Sequence, residues 1–149
     1  MNLAPYLIMC AVMLAGGATA LQAPLNARMA VAVSGPINAA FVSFAVGTVA
    51  LGIMAAIAHA RPDVAAAKAL PVYAWAGGLC GVIFVVTAAW SVPRLGVATT
   101  ITLMVAGQLL VGLVLDHLGA FGAPQSPISL TKIAGVALVF CGVLLVRRV

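Results

Sequence analysis

Two stretches of the chain bring polar side chains together at helical spacing. Thr19, Gln22 and Asn26 lie three and four residues apart, so on a helix they share one face. Thr100, Met104, Gln108, Gly112 and Asp116 repeat every four residues. That stripe drifts slowly around a helix, because four residues overshoot one turn. A carboxamide has two donors and an acceptor to satisfy. Gln22, Asn26 and Gln108 can therefore hold the polar part of a ligand, or bond a neighbouring helix. Asp116 would add proton exchange, which a carboxylate performs when desolvation opposes its charged form. Placed beside His117 at the end of its run, it is expected to be solvated or paired with a nearby Arg or Lys; proton coupling is the sharper alternative.

Other chemistry has little to work with. Asp63 and Asp116 are the only acidic residues, so there is no carboxylate pair. No nucleophile and base are patterned together, and no glycine-rich loop could cradle phosphate. His59 and His117 are not at ligand spacing, and Cys10, Cys80 and Cys141 sit in three different apolar runs. Their spacing fits no metal motif; small buried hydrophobes are the expected role. An enzyme, a metal site and a cofactor are not expected.

The elements that must carry these residues follow from the composition. The chain has 149 residues, 65% hydrophobic and 6% charged, where a soluble domain has about 25% charged. Such a sequence cannot cover its surface with water-compatible groups, so it reads as an integral membrane protein of class all-α. The net charge is +5, but the basic residues stand at the ends of apolar runs, as charges flank membrane helices. No basic face interleaves with aromatics, and nucleic acid is not an expected partner.

A spanning helix needs about 20 mostly apolar residues. Five runs are candidates, at about 3–27, 36–58, 71–92, 97–115 and 133–146, and together they make one five-helix transmembrane domain over 1–149. The last is short unless residues from Ile128 onward join it, with Lys132 snorkelling to the interface. "VSGP" at 33–36, "HARPDVAAAKALP" at 59–71, "VPRLG" at 92–96 and "DHLGAFGAPQSPIS" at 116–129 are the connections, rich in Gly and Pro. The runs are continuously apolar, unlike alternating barrel strands. "AGGATALQA" has the small-residue pattern of a signal cleavage site, but nothing basic precedes the apolar region, so the first run is expected to stay as a span.

Pro24, between Gln22 and Asn26, removes a backbone donor and is expected to kink or end the first helix. The polar stripe there marks either a pathway through the membrane or a helix end meeting water. Trp75 and Trp90 are 15 residues apart, about 22 Å on a helix, which fits an aromatic belt at two interfaces; a substrate-facing role for Trp90 is the alternative. Gly77 with Gly81, Gly16 with Ala20, and Gly135 with Gly142 could let backbones approach closely.

Orientation is nearly undecided. With five spans, Arg61, Lys68 and Lys132 fall on the N-terminal side, and Arg28, Arg94, Arg147 and Arg148 on the other. The positive-inside rule then barely chooses. A chain that inserts both ways would pair with an inverted copy of itself, a recurring transporter plan. The alternative is that a small bias, or Arg28 lying within the helix bundle, sets a single orientation.

"LQAPLNARMA" at 21–30, "VPRLGVATTITLMVAGQL" at 92–109, "DHLGAFG" at 116–122 and the "LLVRR" ending resemble the YdcZ-type proteins of the drug/metabolite transporter superfamily. The resemblance spans essentially the whole chain. It implies a half-size transporter of five helices, half of an inverted repeat, in the bacterial inner membrane. It also implies a homodimer, or a pair with a sister subunit, and small-molecule export. Related cation exporters use an intramembrane glutamate in their first helix, and this chain has no glutamate. A neutral or zwitterionic metabolite suits Gln22 and Asn26 better, while Arg28 and Arg94 leave an anion open. The expected substrate contacts are Gln22, Asn26 and Gln108, with Arg28 and Trp90 second. A membrane scaffold or accessory subunit, and a passive channel, are the competing classes.

Overall fold

The computed structural model describes residues 3–147, the last by its backbone alone. The side chain of Arg147, together with Arg148 of the charge count, lies outside the described residues. All regular structure among the described residues is helical: α1 (Ala4–Ala32), α2 (Pro36–Ile57), α3 (Val64–Lys68), α4 (Gly77–Leu95), α5 (Val97–Leu118) and α6 (Leu130–Arg147), with 3-10 turns at Val72–Ala76 and Ala120–Gly122. Ala4–Ala32, Pro36–Ile57, Val72–Leu95 and Val97–Leu118 are each long and apolar enough to cross a bilayer, and Leu130–Val146 is a shorter apolar helix. This is the all-α, multi-span architecture that the apolar runs predict.

The chain forms two compact units, one up to Arg94 and one from Leu95 onward. In the first, α1 and α2 pack against each other. Their buried positions are Ala23, Asn26 and Ala27 on α1, and Ala39 and Ala40 on α2. The turn between them is tightly closed. Gly35 donates to Ala30 O at 2.8 Å, with Ser34 at φ 62° and Gly35 at φ 134°, a 6→1 closure of the Schellman type. Asn38 Nδ2 donates to Val33 O at 2.7 Å. By contrast, every residue from Leu3 to Thr19 is exposed. Such a surface suits an apolar surrounding, which needs no polar cover.

Three boundaries differ from expectation. α1 runs through Pro24 to Ala32: Pro24 leaves only the Ala20 carbonyl without its helical donor, and the Leu, Ala and Met residues that follow favour helix. α4 runs through Pro93 to Leu95, so the 92–96 connection shrinks to Gly96, whose φ of 81° ends the helix. α5 continues past Asp116 to Leu118 and is capped by Gly119 in the left-handed region. Asp116 therefore lies within the last helical turn.

The packing contacts also differ in detail. A Cβ on Gly81 would come within 3.3 Å of the Phe44 ring, so that glycine does admit a neighbour from α2, but Gly16, Gly77, Gly135 and Gly142 have nothing within 4 Å of a Cβ. Close approach in the first unit is made by alanines instead. Cys10, Cys80 and Cys141 are free and exposed, against the expectation of burial.

Candidate functional site

The α1 stripe splits into groups of different fate. Thr19 donates back to Ala15 O at 3.0 Å within its own helix, an arrangement that satisfies a hydroxyl in an apolar setting. Gln22 is half-buried and Arg28 is exposed. Asn26 is only 3% exposed, among the alanines of the α1–α2 packing. Its Nδ2 has no hydrogen-bond partner. A buried donor left unpaired costs about 1–3 kcal/mol.

Near the end of the first unit, Arg94 folds back on α4. Its guanidinium lies 4.5 Å from the centre of the Trp90 ring, and Nη1 donates to Trp90 O. One face of Trp90 is thus taken by a cation–π contact, though the residue stays 52% exposed.

In the second unit, α5 and α6 pack together and leave a cleft of about 460 Å³ along their seam. Gln108, Leu109, Gly112, Leu113 and Asp116 line it from α5, and Lys132, Gly135, Val136 and Val139 from α6. The stripe positions Gln108, Gly112 and Asp116 are therefore brought to one cavity, as their spacing predicts; Thr100 and Met104 are not among its lining. Gln108 is exposed, and among the described residues it forms no hydrogen bond to another helix. Thr102 donates back to Ala98 O at 2.7 Å. Thr100 is different: at 2% exposed its hydroxyl has no partner.

The connection between α5 and α6 is folded onto the cleft mouth. Ser126 donates to Asp116 O at 2.8 Å, Gln125 Nε2 to His117 O at 3.1 Å, and the Ile128 amide to His117 Nδ1 at 3.3 Å. Ser129 Oγ accepts from the Lys132 amide at 3.3 Å, an N-cap that starts α6. Lys132 Nζ donates to Ser126 O at 2.9 Å and to Ser126 Oγ at 2.7 Å. Its ammonium is thus committed to Ser126 and not to Asp116. Lys132 is the member of this group that sequence reasoning missed: it reads as an interfacial anchor, and only the return of the loop places it across the seam from Asp116.

Asp63, expected to be solvated in its loop, caps α3 by accepting from the Ala66 amide at 2.9 Å. His59 takes a left-handed φ of 50° and closes α2, with its amide on Ala56 O and the next amide on Ala55 O. Among the described residues, no group of three His, Cys, Asp or Glu is placed to hold a metal ion.

A chain whose described residues are all-helical, with several helices long and apolar enough to cross a bilayer, is a multi-pass membrane protein. Residues 7–145 match the family described as "Putative inner membrane exporter, YdcZ", and the chain belongs to that family. It is accordingly a multi-pass protein of the inner membrane, from a family of exporters rather than enzymes. No curated protein and no solved structure matches it.

Proposed function

We propose that the chain is one subunit of an inner-membrane small-molecule exporter that works as a dimer by alternating access. The observation that carries this reading is the buried, unpaired amide of Asn26 on the face it shares with half-buried Gln22. Intramembrane polar groups that are not paired within their own protein mark ligand pathways. Gln22 and Asn26 form the principal substrate contacts, and Gln108 extends the polar surface in the second unit. Arg28 and Trp90 are secondary, with Trp90 already engaged by Arg94. Asp116 is the one carboxylate available for proton coupling. Amides without a nearby acidic residue on α1 favour a neutral or zwitterionic substrate.

The dimer is supported by the unpacked surface of α1 from Leu3 to Thr19 and by the balanced distribution of Lys and Arg. Both suit an antiparallel pair of identical chains, and equally a pair with an oppositely oriented sister subunit. A single domain of five spans would then be half of an inverted repeat.

The test compares cells producing the wild-type chain with cells producing Asn26→Ala, by untargeted profiling of small molecules inside and outside. A compound that leaves wild-type cells and is retained by the variant supports an exporter. Identical profiles from equal amounts of folded protein sink it and leave a scaffold, whose polar groups serve only packing. A flux that rises linearly with concentration would instead indicate a channel. Sidedness reporters fused after Val149 then decide the dimer: signal from both sides of the membrane supports the antiparallel pair, and signal from one side rules it out.

A further inference from the structure

The α5–α6 cleft carries a second assignment, which goes beyond the exporter reading and does not rest on it. Its mouth holds one carboxylate, Asp116, and one ammonium, Lys132, at the C-terminal end of α5 and the N-terminal end of α6. Helix ends of spanning segments lie at interfacial depth. Gln108 is eight residues further along α5, about 12 Å into the hydrocarbon. Between mouth and floor the walls are Leu109, Leu113, Val136 and Val139. Gly112 and Gly135 leave the trough wide, since a Cβ at either would meet nothing within 4 Å. Leu109 and Gly135 remain exposed, so the trough is open along its side.

The two charges face one cleft without pairing, because the ammonium is held on Ser126. The same loop is fixed to Asp116 through its backbone, so the mouth is preorganised. An uncharged apolar occupant would leave both charges facing a desolvated surface, which is costly. A purely anionic head would oppose Asp116, and a purely cationic one would oppose Lys132. Charge complementarity selects a head bearing both signs above an apolar tail. Basic pockets between spanning helices hold anionic lipid headgroups; here the added carboxylate of Asp116 balances the ammonium of Lys132.

We propose that this cleft is a binding site for a zwitterionic phospholipid of the surrounding bilayer. The ammonium of the headgroup lies on Asp116 and its phosphate on Lys132, and one acyl chain runs along the trough towards Gln108.

Native mass spectrometry of the purified full chain in detergent tests this, with phosphatidylethanolamine or phosphatidylglycerol of identical acyl chains added separately. Wild type should retain phosphatidylethanolamine over phosphatidylglycerol by about tenfold, the weight of one charge-assisted hydrogen bond. Asp116→Asn should erase that preference and Asp116→Glu should keep it. Gly135→Leu, which fills the trough and leaves both charges in place, should lose both lipids while helix content by circular dichroism stays unchanged. Should Asp116→Asn fail to fold, Lys132→Gln reads the other arm, with retention of phosphatidylethanolamine falling. Equal retention of the two lipids, a preference for phosphatidylglycerol, a preference untouched by Asp116→Asn, or retention of phosphatidylethanolamine untouched by Lys132→Gln overturns the assignment. So does retention of no lipid, the outcome expected if a helix of another copy fills the trough.

Discussion

The stripe on α1 and the cleft between α5 and α6 both place amides in the membrane, and they treat polarity in opposite ways. On α1 the amide of Asn26 is buried among alanines and left unpaired. Along α5 and α6 the amide of Gln108 is exposed, the charges stand at an open mouth, and the connecting loop satisfies itself through hydrogen bonds among 116–132. The first arrangement withholds a polar group from lipid and water, which suits a group engaged only when a ligand or partner enters. The second presents a fixed, internally bonded surface to the bilayer.

The strongest way to break the comparison is Asn26→Ala. Export should fall by about tenfold or more, while stability changes by no more than about 1 kcal/mol, because removing an unpaired buried amide offsets lost contacts. Flux from vesicles and thermal melting in detergent read the two quantities. A large loss of stability with export intact would show that Asn26 is packing material. Next comes Lys132→Ala, which should destabilise the second unit by about 1–2 kcal/mol through loss of both bonds to Ser126. Hydrogen exchange at 123–129 should rise, and exchange on α1 should not.

Thr100→Val sharpens the contrast within one helix. Deleting its unpaired hydroxyl should stabilise by up to about 1 kcal/mol, whereas Thr102→Val should change stability by less than about 0.5 kcal/mol. A comparably small effect belongs to His59→Gly. Relief of the left-handed backbone should be partly cancelled by glycine entropy, for a net gain of about 0.5 kcal/mol. Neither export nor lipid retention should respond to it.

Much of this architecture is legible in the amino-acid sequence. Continuous apolar runs announce spanning helices, and i, i+4 spacing puts Gln108, Gly112 and Asp116 in one row, which the structure sets along one cavity. Helix ends are harder to read. Pro24, Pro93 and Asp116 suggest termination, but a helix stops only where its backbone leaves the helical region, as Gly96 and Gly119 do. The burial of Asn26 and the reach of Lys132 are not legible at all. Both depend on which segment returns to cover them, and local spacing carries no record of that. Of the glycine steps, only Gly81 meets a neighbour, the Phe44 ring; among the described residues nothing lies within 4 Å of a Cβ on Gly16 or Gly135, and alanines line the packing of α1 on α2.

α6 has 18 residues, about 27 Å of helix against a hydrocarbon core of about 30 Å. By itself it is a marginal candidate for partition into the bilayer, with Lys132 in its first turn. The connection that ties it to α5 changes its biogenesis. Once α5 is in the membrane, Ser126 on the Asp116 carbonyl and Lys132 on Ser126 hold the start of α6 at the headgroup level. The last span is then delivered as the second arm of a hairpin, and its entry depends on the loop as much as on its own hydrophobicity.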